Sequence, residues 1–269
     1  MMVQDYSGAT RVVFVVGDPI AQVKSPAGVT AGLRARGVDA ICVPAHVKPS
    51  DLADFLSMAW RMPNVDGVLV TVPHKVAAVS LCADLTPGAR AIGAVNVLRR
   101  APHGWRGDMC DGDAFVDALR EAGAAVAGQR ALLVGAGGAG VAIAHALVAA
   151  GVCELAVHDI NERRRDEVLA RLRSEAARNA CPVQLRSGWR DPEGYDLVCN
   201  ASPLGMRDGD PLPVEAVGLR PGIWVGDVIT VPAEPPLVAE ARRRGCRVST
   251  GEDMFRHVSS RLVNFLLET

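Results

Sequence analysis

A glycine-rich turn between an apolar strand and a small-residue helix places the strongest constraint on how this chain can fold. The segment RALLVGAGGAGVAIAHALVAAG (130–151) passes from a strand-like stretch through VGAGGAG into alanine-rich sequence of helical character. Glycines at the first, third and sixth positions of such a turn are typical of a dinucleotide-binding βαβ unit. We therefore expect an α/β fold in which this turn binds the phosphates of a nucleotide.

Each small residue of the turn has its own physical task. Gly135 permits the tight turn, Gly137 lets the backbone approach a pyrophosphate, and Gly140 lets the helix pack closely on the strand. Gly138 and Ala139 keep the loop free of large side chains. The free N–H groups and the positive end of the helix dipole would then face the phosphates.

An acid at the end of the next strand bears on the choice of cofactor. The stretch LAVHD (155–159) reads as a strand that ends in Asp159. A carboxylate there can accept hydrogen bonds from ribose hydroxyls and repels a 2′-phosphate, which favours NAD over NADP. Two alternatives stay open: Asp159 caps the following helix, or one of the arginines at 163–165 reaches a phosphate.

Strand-like and helix-like stretches alternate along the rest of the chain as well. Strands are predicted at 11–17, 39–45, 68–72, 94–98, 155–159, 196–202 and 223–229, with a further strand before the glycine turn, and helices at 28–37, 50–62, 75–83, 113–123, 161–179, 235–246 and 252–268. Ser50 is the predicted N-cap of the second helix. This rhythm indicates two α/β domains, joined near residue 110, each with a mostly parallel sheet covered by helices.

Composition narrows the class of protein further. The 269 residues carry 29 Lys and Arg against 30 Asp and Glu, so no electrostatic reason points to nucleic acid or a membrane surface as a partner. No apolar run approaches the roughly 20 residues that cross a bilayer, and the N-terminus lacks an export signal. The seven cysteines are scattered without a C-x-x-C pair, so we expect a cytoplasmic protein with reduced thiols and no metal site.

Polar residues gather near the ends of the strands in the first half. Lys75 follows the apolar run of GVLVTVPHKV, which also contains Thr71; Ser25, Asn96 and Asp111 occupy comparable places. Ligands bind beyond the carboxyl ends of parallel strands, so these side chains are expected to converge on one cleft. A lysine and a carboxylate can carry a proton while a hydride moves, although a solvated loop lysine is the plainer interpretation.

Eight segments follow one another in an order that resembles the shikimate dehydrogenase family over nearly the whole chain. They are GDPIAQVKSP (17–26), GVLVTVPHK (67–75), IGAVNVL (92–98), DMCDGDAF (108–115), GAGGAG (135–140), DLVCNASPLGM (196–206), GDVITVP (226–232) and STGEDMF (249–255). The resemblance implies a substrate-binding domain at 1–110, completed by 247–269, and a Rossmann domain at 111–246. It also implies hydride transfer between NAD(P) and a ring hydroxyl of a small cyclic hydroxy acid, with shikimate and 3-dehydroshikimate as the best match, by a monomer or homodimer.

The resemblance assigns roles to individual residues. Lys75 and Asp111 would be the catalytic pair, and Ser25, Thr71 and Asn96 would bind substrate. The phosphate loop would be Gly135, Ala136, Gly137, Gly138 and Ala139, and the nicotinamide side would be lined by Ser202, Met206, Val228, Gly251 and Met254.

Several substrate-facing positions depart from the family pattern. Val23 stands where the family has the first hydroxyl of an S-x-S-P stretch, which leaves Ser25 alone to hold a carboxylate. Thr230 replaces a tyrosine, Val258 replaces a glutamine, and Met109–Asp111 replaces N-T-D. Val258 also fits the apolar stripe of the last helix, so a core position is its plainer interpretation.

These departures remove expected substrate contacts, whereas the proton-transfer pair Lys75 and Asp111 is retained. One lost hydrogen bond to a carboxylate costs about 1.5–3 kcal/mol, which is enough to change the preferred substrate. We therefore expect a shikimate-dehydrogenase-like enzyme for which shikimate is the best-matched substrate, while quinate or an amino analogue stays open as the preferred ring acid. A nucleotide-binding sensor without turnover is the alternative from another class.

The cofactor positions depart as well. Members of the family that use NADP carry N-R-T after the second Rossmann strand, where this chain has Asp159, Ile160 and Asn161. The arginine is lost and an acid is supplied. Asp159 and Asn161 are accordingly predicted to contact the cofactor, with NAD preferred.

Overall fold

The computed structural model describes residues 6–178 and 182–268, which divide into two compact α/β units. The first unit comprises the residues up to Cys110 together with those from Ser259 onward, and the second is Asp111–Val258. The predicted α/β class is confirmed. The predicted end of a helix at 179 and Cys181 lie outside the described residues; the six described cysteines, at 42, 82, 110, 153, 199 and 246, are free thiols.

The first unit is built on a six-stranded mixed sheet. Its strands are β1 (Arg11–Gly17), β2 (Ala40–His46), β3 (Val65–Val70), β4 (Asp84–Leu85), β5 (Val97–Ala101) and β6 (Gly104–Asp108), in the order β2-β1-β3-β5-β6-β4. Its helices are α1 (Ser25–Arg34), α2 (Leu52–Arg61) and α3 (Pro87–Ile92), with 3₁₀ turns at Pro49–Asp51 and Ala77–Leu81. Valines of β1 and β3 fill the core between sheet and helices.

The sheet of this unit is mostly parallel, as predicted, but one side of it departs from the parallel arrangement. Strand β1 is parallel to β2 and β3, but β5 runs antiparallel to β3, and β6 antiparallel to β5. Only two residues connect β5 to β6, and so short a link permits an antiparallel pair alone. The carboxyl ends of β1, β3 and β6 therefore share one edge of the sheet with the amino end of β5.

Two local predictions in the first unit are wrong. Ser50 does not cap α2; it lies in a 3₁₀ turn and its hydroxyl donates to the Asp51 carboxylate at 2.7 Å. The helix predicted at 75–83 is the short 3₁₀ turn Ala77–Leu81, which follows a run of turns at 72–76.

The second unit has a six-stranded sheet in which every neighbouring pair is parallel. Its strands are β7 (Arg130–Val134), β8 (Glu154–His158), β9 (Gln184–Ser187), β10 (Leu197–Asn200), β11 (Trp224–Asp227) and β12 (Arg247–Ser249), in the order β12-β11-β10-β7-β8-β9. Its helices are α4 (Asp111–Glu121), α5 (Gly138–Ala149), α6 (Glu162–Arg178), α7 (Pro236–Arg243) and α8 (Gly251–Leu267), with a 3₁₀ turn at Ala216–Gly218. The sequence missed β9 and β12 because both are short, polar edge strands.

The last helix supplies residues to both units. It opens with a capping box, in which Thr250 and Asp253 exchange hydrogen bonds of 2.7–3.3 Å. The segment 247–258, which the resemblance placed with the substrate domain, includes β12, paired with β11 in the second sheet. Within the described residues, no helix is long and apolar enough to span a membrane, and no three metal-binding side chains cluster.

Candidate active site

Backbone hydrogen bonds around Thr71 join the ends of β1 and β3 to the residue that precedes β5. The Thr71 N–H donates to the Val16 carbonyl at 2.9 Å, and Val70 N–H donates to the Asn96 carbonyl at 2.8 Å. A Cβ on Gly17 would lie 2.5 Å from Thr71 Cγ2, so the glycine at the end of β1 makes room for the threonine. Thr71 is thereby set directly after β3, where its backbone bonds to β1.

Lys75 leaves this edge on a backbone that is fixed on both sides. His74 donates its N–H to the Thr71 carbonyl at 2.9 Å, and the Lys75 carbonyl accepts from Val95 N–H at 2.9 Å. The His74 ring is buried, with Nε2 2.7 Å from the Val47 carbonyl, and must donate there because a carbonyl only accepts. Lys75 is half-buried, and backbone hydrogen bonds on both sides fix the turn that carries its side chain.

Asn96 lies at the same sheet edge, although it does not follow the carboxyl end of a parallel strand as expected. It precedes an antiparallel strand, so the amino end of β5 rather than a carboxyl end brings it there. Asn96 is 4% exposed; its N–H donates to the Asp108 carbonyl at 2.9 Å, and its Oδ1 accepts from Cys110 N–H at 3.0 Å. This last bond fixes the orientation of the side-chain amide and anchors the segment that leads to Asp111.

The loop after β1 carries the two residues predicted to meet a carboxylate. Val23 is half-buried and its N–H donates to the Ile20 carbonyl at 3.2 Å, while Ser25 is the first residue of α1. Asp18, in the same loop, lies 2.7 Å from His46 Nε2 at the end of β2. The loop thus begins at the edge that holds Thr71, and Val23 brings to it no side-chain hydrogen-bonding group.

Asp111 is the first residue of α4 and belongs to the second unit. Its side chain is 5% exposed. A Cβ on Gly112 would overlap the carbonyl of Ala142, so α4 packs on α5 at a distance that only glycine allows. This tight contact fixes where the acid stands on the second unit.

The predicted glycine turn joins β7 to α5 and leaves the start of that helix open. Gly135 has φ +104°, and a Cβ there would lie 2.7 Å from the Ala201 carbonyl; one on Gly140 would overlap the Gly135 carbonyl. By contrast, Gly137 is the N-cap of α5 and has no atom within 4 Å of the place a Cβ would take. The bare, open helix N-terminus formed by 137–139 fits a dinucleotide pyrophosphate.

Asp159 joins the glycine turn to the following helix. Its two oxygens accept from Ala136 N–H and Asn161 N–H, both at 2.7 Å. The Asn161 side chain in turn accepts from Arg164 N–H at 3.2 Å and so caps α6. The alternative that Asp159 is the helix cap is therefore replaced: Asn161 is the cap, and Asp159 sets the position of the turn.

The predicted nicotinamide-side residues lie at the carboxyl edge of the second sheet, with one exception. Ser202 and Val228 follow adjacent strands, and a Cβ on Gly251 would overlap the Ile229 carbonyl. Met206 is 48% exposed in the turn after Ser202. The exception is Met254, which packs in the core of the unit, 7% exposed.

The two remaining substrate-facing predictions lie in the second unit. Thr230 is half-buried in the segment after β11, two residues from Val228. Val258 packs against the hydrophobic core of the second unit, as the apolar stripe of its helix indicates. Its surroundings agree with the plainer interpretation of a core residue.

Sequence reasoning missed a buried polar pair at the ends of two strands. Asn200 ends β10 and Asp227 ends β11, and Asn200 Nδ2 donates to Asp227 Oδ2 at 3.1 Å. Burial raises the pKa of the Asp227 carboxyl to about 6. A polar residue closing each of the apolar runs LVCN and WVGD was the signal available for this pair.

Comparison with known proteins agrees with this architecture. The family model for the shikimate dehydrogenase substrate binding domain matches residues 15–98. A curated relative, the "Shikimate dehydrogenase (NADP(+))" of Moorella thermoacetica, is 38% identical over 91% of this chain and 84% of its own length.

Two solved structures share the fold over almost the full length of both chains. The ligand-free 5-ketofructose reductase of Gluconobacter sp. strain CHM43 is 28% identical, with a TM-score of 0.85 over 96% of this chain and 93% of its own. The quinate dehydrogenase of Corynebacterium glutamicum, in complex with NAD, is 25% identical, with a TM-score of 0.85 over 96% and 94%.

Proposed function

Since the chain belongs to the shikimate dehydrogenase family, we propose that it interconverts shikimate and 3-dehydroshikimate, or a closely related ring acid and its ketone. The enzyme is an oxidoreductase of the hydride-transfer class. The observation that carries the proposal is the position of Lys75. Its turn is fixed by backbone hydrogen bonds and lies at the same sheet edge as Thr71 and Asn96.

The proton is the part of the reaction that this chain's own residues handle. When bound, the nicotinamide dinucleotide supplies a hydride to the ketone carbon or accepts one from the alcohol carbon. In the reducing direction the Lys75 ammonium gives a proton to the ketone oxygen, which becomes the hydroxyl; in the oxidising direction neutral Lys75 takes it back. Asp111 would accept a hydrogen bond from a substrate hydroxyl.

Ser25, Thr71 and Asn96 would orient the substrate through its oxygen atoms. Asn96 suits this task because its bond to Cys110 N–H holds the side-chain amide in one orientation. Val23 contributes shape without a hydrogen bond, so one contact to a substrate carboxylate is missing. We therefore propose a carboxylate held more weakly than in a site with two hydroxyls, which widens the range of ring substrates to quinate and amino analogues.

For the cofactor we propose a preference for NAD over NADP. The support is that Asp159 is fixed beside the glycine turn by two backbone N–H groups, where its charge repels a 2′-phosphate. Arg163 pairs with Glu167 and Arg165 with Asp166, while the Arg164 guanidinium has no ion pair within 6–178 and 182–268. The Moorella relative is named for NADP, so Arg164 is the residue that would favour the phosphorylated cofactor.

A second candidate function is reduction of a polyhydroxy ketone that has no carboxylate. Two observations favour it: Val23 in place of a hydroxyl, and 28% identity to a 5-ketofructose reductase over almost the whole chain. The same Lys75 and Asp111 would serve it. A sensor without turnover is less well supported, because the relatives are named as enzymes and Lys75 and Asp111 are both present.

Initial rates of nicotinamide reduction and of nicotinamide oxidation test these candidates directly. Shikimate, quinate and an amino analogue would be oxidised with NAD and NADP, and 3-dehydroshikimate and 5-ketofructose reduced with NADH and NADPH. Lys75→Ala should lower kcat about a hundredfold or more while NAD still binds, and Lys48→Ala, at an exposed lysine of the same unit, should change neither. Binding of NAD without turnover of any compound would contradict both enzymatic candidates and favour the sensor.

A further inference from the structure

Asn200 and Asp227 form a closed hydrogen-bonded pair under the carboxyl edge of the second sheet. They are direct neighbours on adjacent parallel strands, and their side chains are 1% and 0% exposed. Asn200 Nδ2 donates to Asp227 Oδ2 at 3.1 Å. Solvent is thus excluded from the bond that joins the last residues of β10 and β11.

Each partner holds one of the turns that follow. Asn200 Oδ1 accepts from Ser202 N–H at 3.0 Å and from Ser202 Oγ–H at 2.7 Å. Asp227 Oδ1 accepts from Ile229 N–H at 2.9 Å, and the Asn200 carbonyl accepts from Val228 N–H at 3.1 Å. The pair therefore sets the spacing between the turn that begins at Ser202 and the turn that begins at Val228.

The donors around Asp227 explain why a carboxylate occupies this position. Ile229 N–H and the Asn200 NH₂ group both donate, so a group that only accepts satisfies both. No cation pairs with this carboxylate within the described residues, and burying an unpaired carboxyl is costly. An apolar side chain would fill this part of the core without the cost of burying a carboxyl. It would not accept the two hydrogen bonds that hold the turns at a fixed spacing.

We propose that Asn200 and Asp227 are a positioning pair for the nicotinamide ring. Asp227 acts through Asn200 and Ile229 on the turns that carry Ser202, Met206 and Val228, and so sets the angle at which the hydride leaves. The pair touches neither cofactor nor substrate. The inference rests on the proposed function, since it concerns how that function's cofactor is presented.

A swap of the two side chains gives a sharp test. Asp227→Asn sets an amide NH₂ against the NH₂ of Asn200, and Asn200→Asp sets two carboxylates together. The double variant Asn200→Asp with Asp227→Asn restores every strong bond: the new carboxylate accepts from Ser202 and from the new amide, whose oxygen accepts from Ile229 N–H. Each single variant should therefore disturb both turns, and the double variant should repair them.

Binding and kinetics then separate positioning from general damage. We expect each single variant to weaken NAD(H) binding and to lower kcat by on the order of tenfold to a hundredfold. Affinity for ADP-ribose, which lacks nicotinamide and probes only the glycine turn, should stay within about twofold. The double variant should recover both quantities to within a few-fold, with Tm recorded for all four proteins.

Several outcomes would overturn the inference. One is a parallel loss of ADP-ribose and NAD(H) affinity in the single variants, which would mean that the pair supports the whole unit. Others are unchanged kinetics in both single variants, and a folded double variant that does not recover. Because calorimetric binding of NADH and ADP-ribose needs no turnover, a failure of the proposed substrate would leave this test intact.

Discussion

Oδ2 of Asp159 lies 2.7 Å from the backbone nitrogen of Ala136, so the acid at the end of β8 is fastened to the glycine turn itself. The other oxygen accepts from Asn161 N–H at the same distance. The negative charge is therefore held in one place rather than swinging into solvent. A fixed charge is the kind that discriminates between cofactors with and without a 2′-phosphate.

Replacing this acid should change cofactor selection. We expect Asp159→Asn to raise the ratio of kcat/KM for NADP to that for NAD by about tenfold, because removing one like charge near a phosphate is worth about 1 kcal/mol or more. Glu215→Gln removes an exposed charge of the same unit and should leave the ratio unchanged. An unchanged ratio in Asp159→Asn would contradict the role given to Asp159.

The glycine turn should tolerate no side chain at its first position. Gly135→Ala combines a φ of +104° with a Cβ 2.7 Å from the Ala201 carbonyl, so both backbone strain and overlap oppose it. We expect a loss of about 2–4 kcal/mol in the free energy of unfolding, measured by urea denaturation, and weaker ADP-ribose binding.

A matched glycine separates strain from overlap. Gly128 has φ +76° and no atom within 4 Å of the place a Cβ would take. Gly128→Ala should therefore cost only about 1 kcal/mol and leave ADP-ribose binding unchanged. Equal losses in the two variants would show that packing against Ala201 does not matter.

The pH dependence of stability should report the buried Asp227. Its folded pKa of about 6 lies above the ordinary 3.8, so between these values the folded state holds a proton that the unfolded state has released. Stability then falls as pH rises through this window. The free energy of unfolding of the wild type, minus that of Asp227→Asn, should decrease by about 2 kcal/mol between pH 4 and pH 7.

Urea unfolding of the two proteins at half-unit pH steps measures this difference. Subtracting the variant removes the contributions of the other titrating groups that both proteins share. A difference that is flat from pH 4 to 7, or that rises with pH, would mean that folding does not raise the pKa of the Asp227 carboxyl.

Residues with a local signal were predictable from the sequence, and residues defined by tertiary neighbours were not. The glycine turn was visible because its positions follow from local backbone geometry, as Gly135 shows with its positive φ. The edge position of Asn96 depends on an antiparallel strand, which an apolar run cannot reveal. Asn200 and Asp227 became a pair only because parallel register places them side by side.

Tertiary packing also decides where helices begin and which way their residues face. Ser50 has the right type for an N-cap, but the 3₁₀ turn at Pro49–Asp51 moves the helix start past it. Met254 matches a cofactor-facing motif position, yet its helix turns it into the core of the second unit. A motif match identifies a residue, but the packing of its helix determines which residues it contacts.

The half-buried Val23 offers the most direct control over substrate class, because it lies two residues before Ser25, which we propose to hold a substrate carboxylate. Val23→Ser should raise kcat/KM for shikimate or quinate by about tenfold to a hundredfold, the value of one hydrogen bond to a carboxylate. It should leave the rate with a carboxylate-free ketone within about twofold. Val217→Ser, at a valine 79% exposed on the second unit, is the control and should alter neither rate. An equal gain with both kinds of substrate would show that the residue governs access rather than carboxylate binding, and no gain with either would remove Val23 from the determinants of specificity.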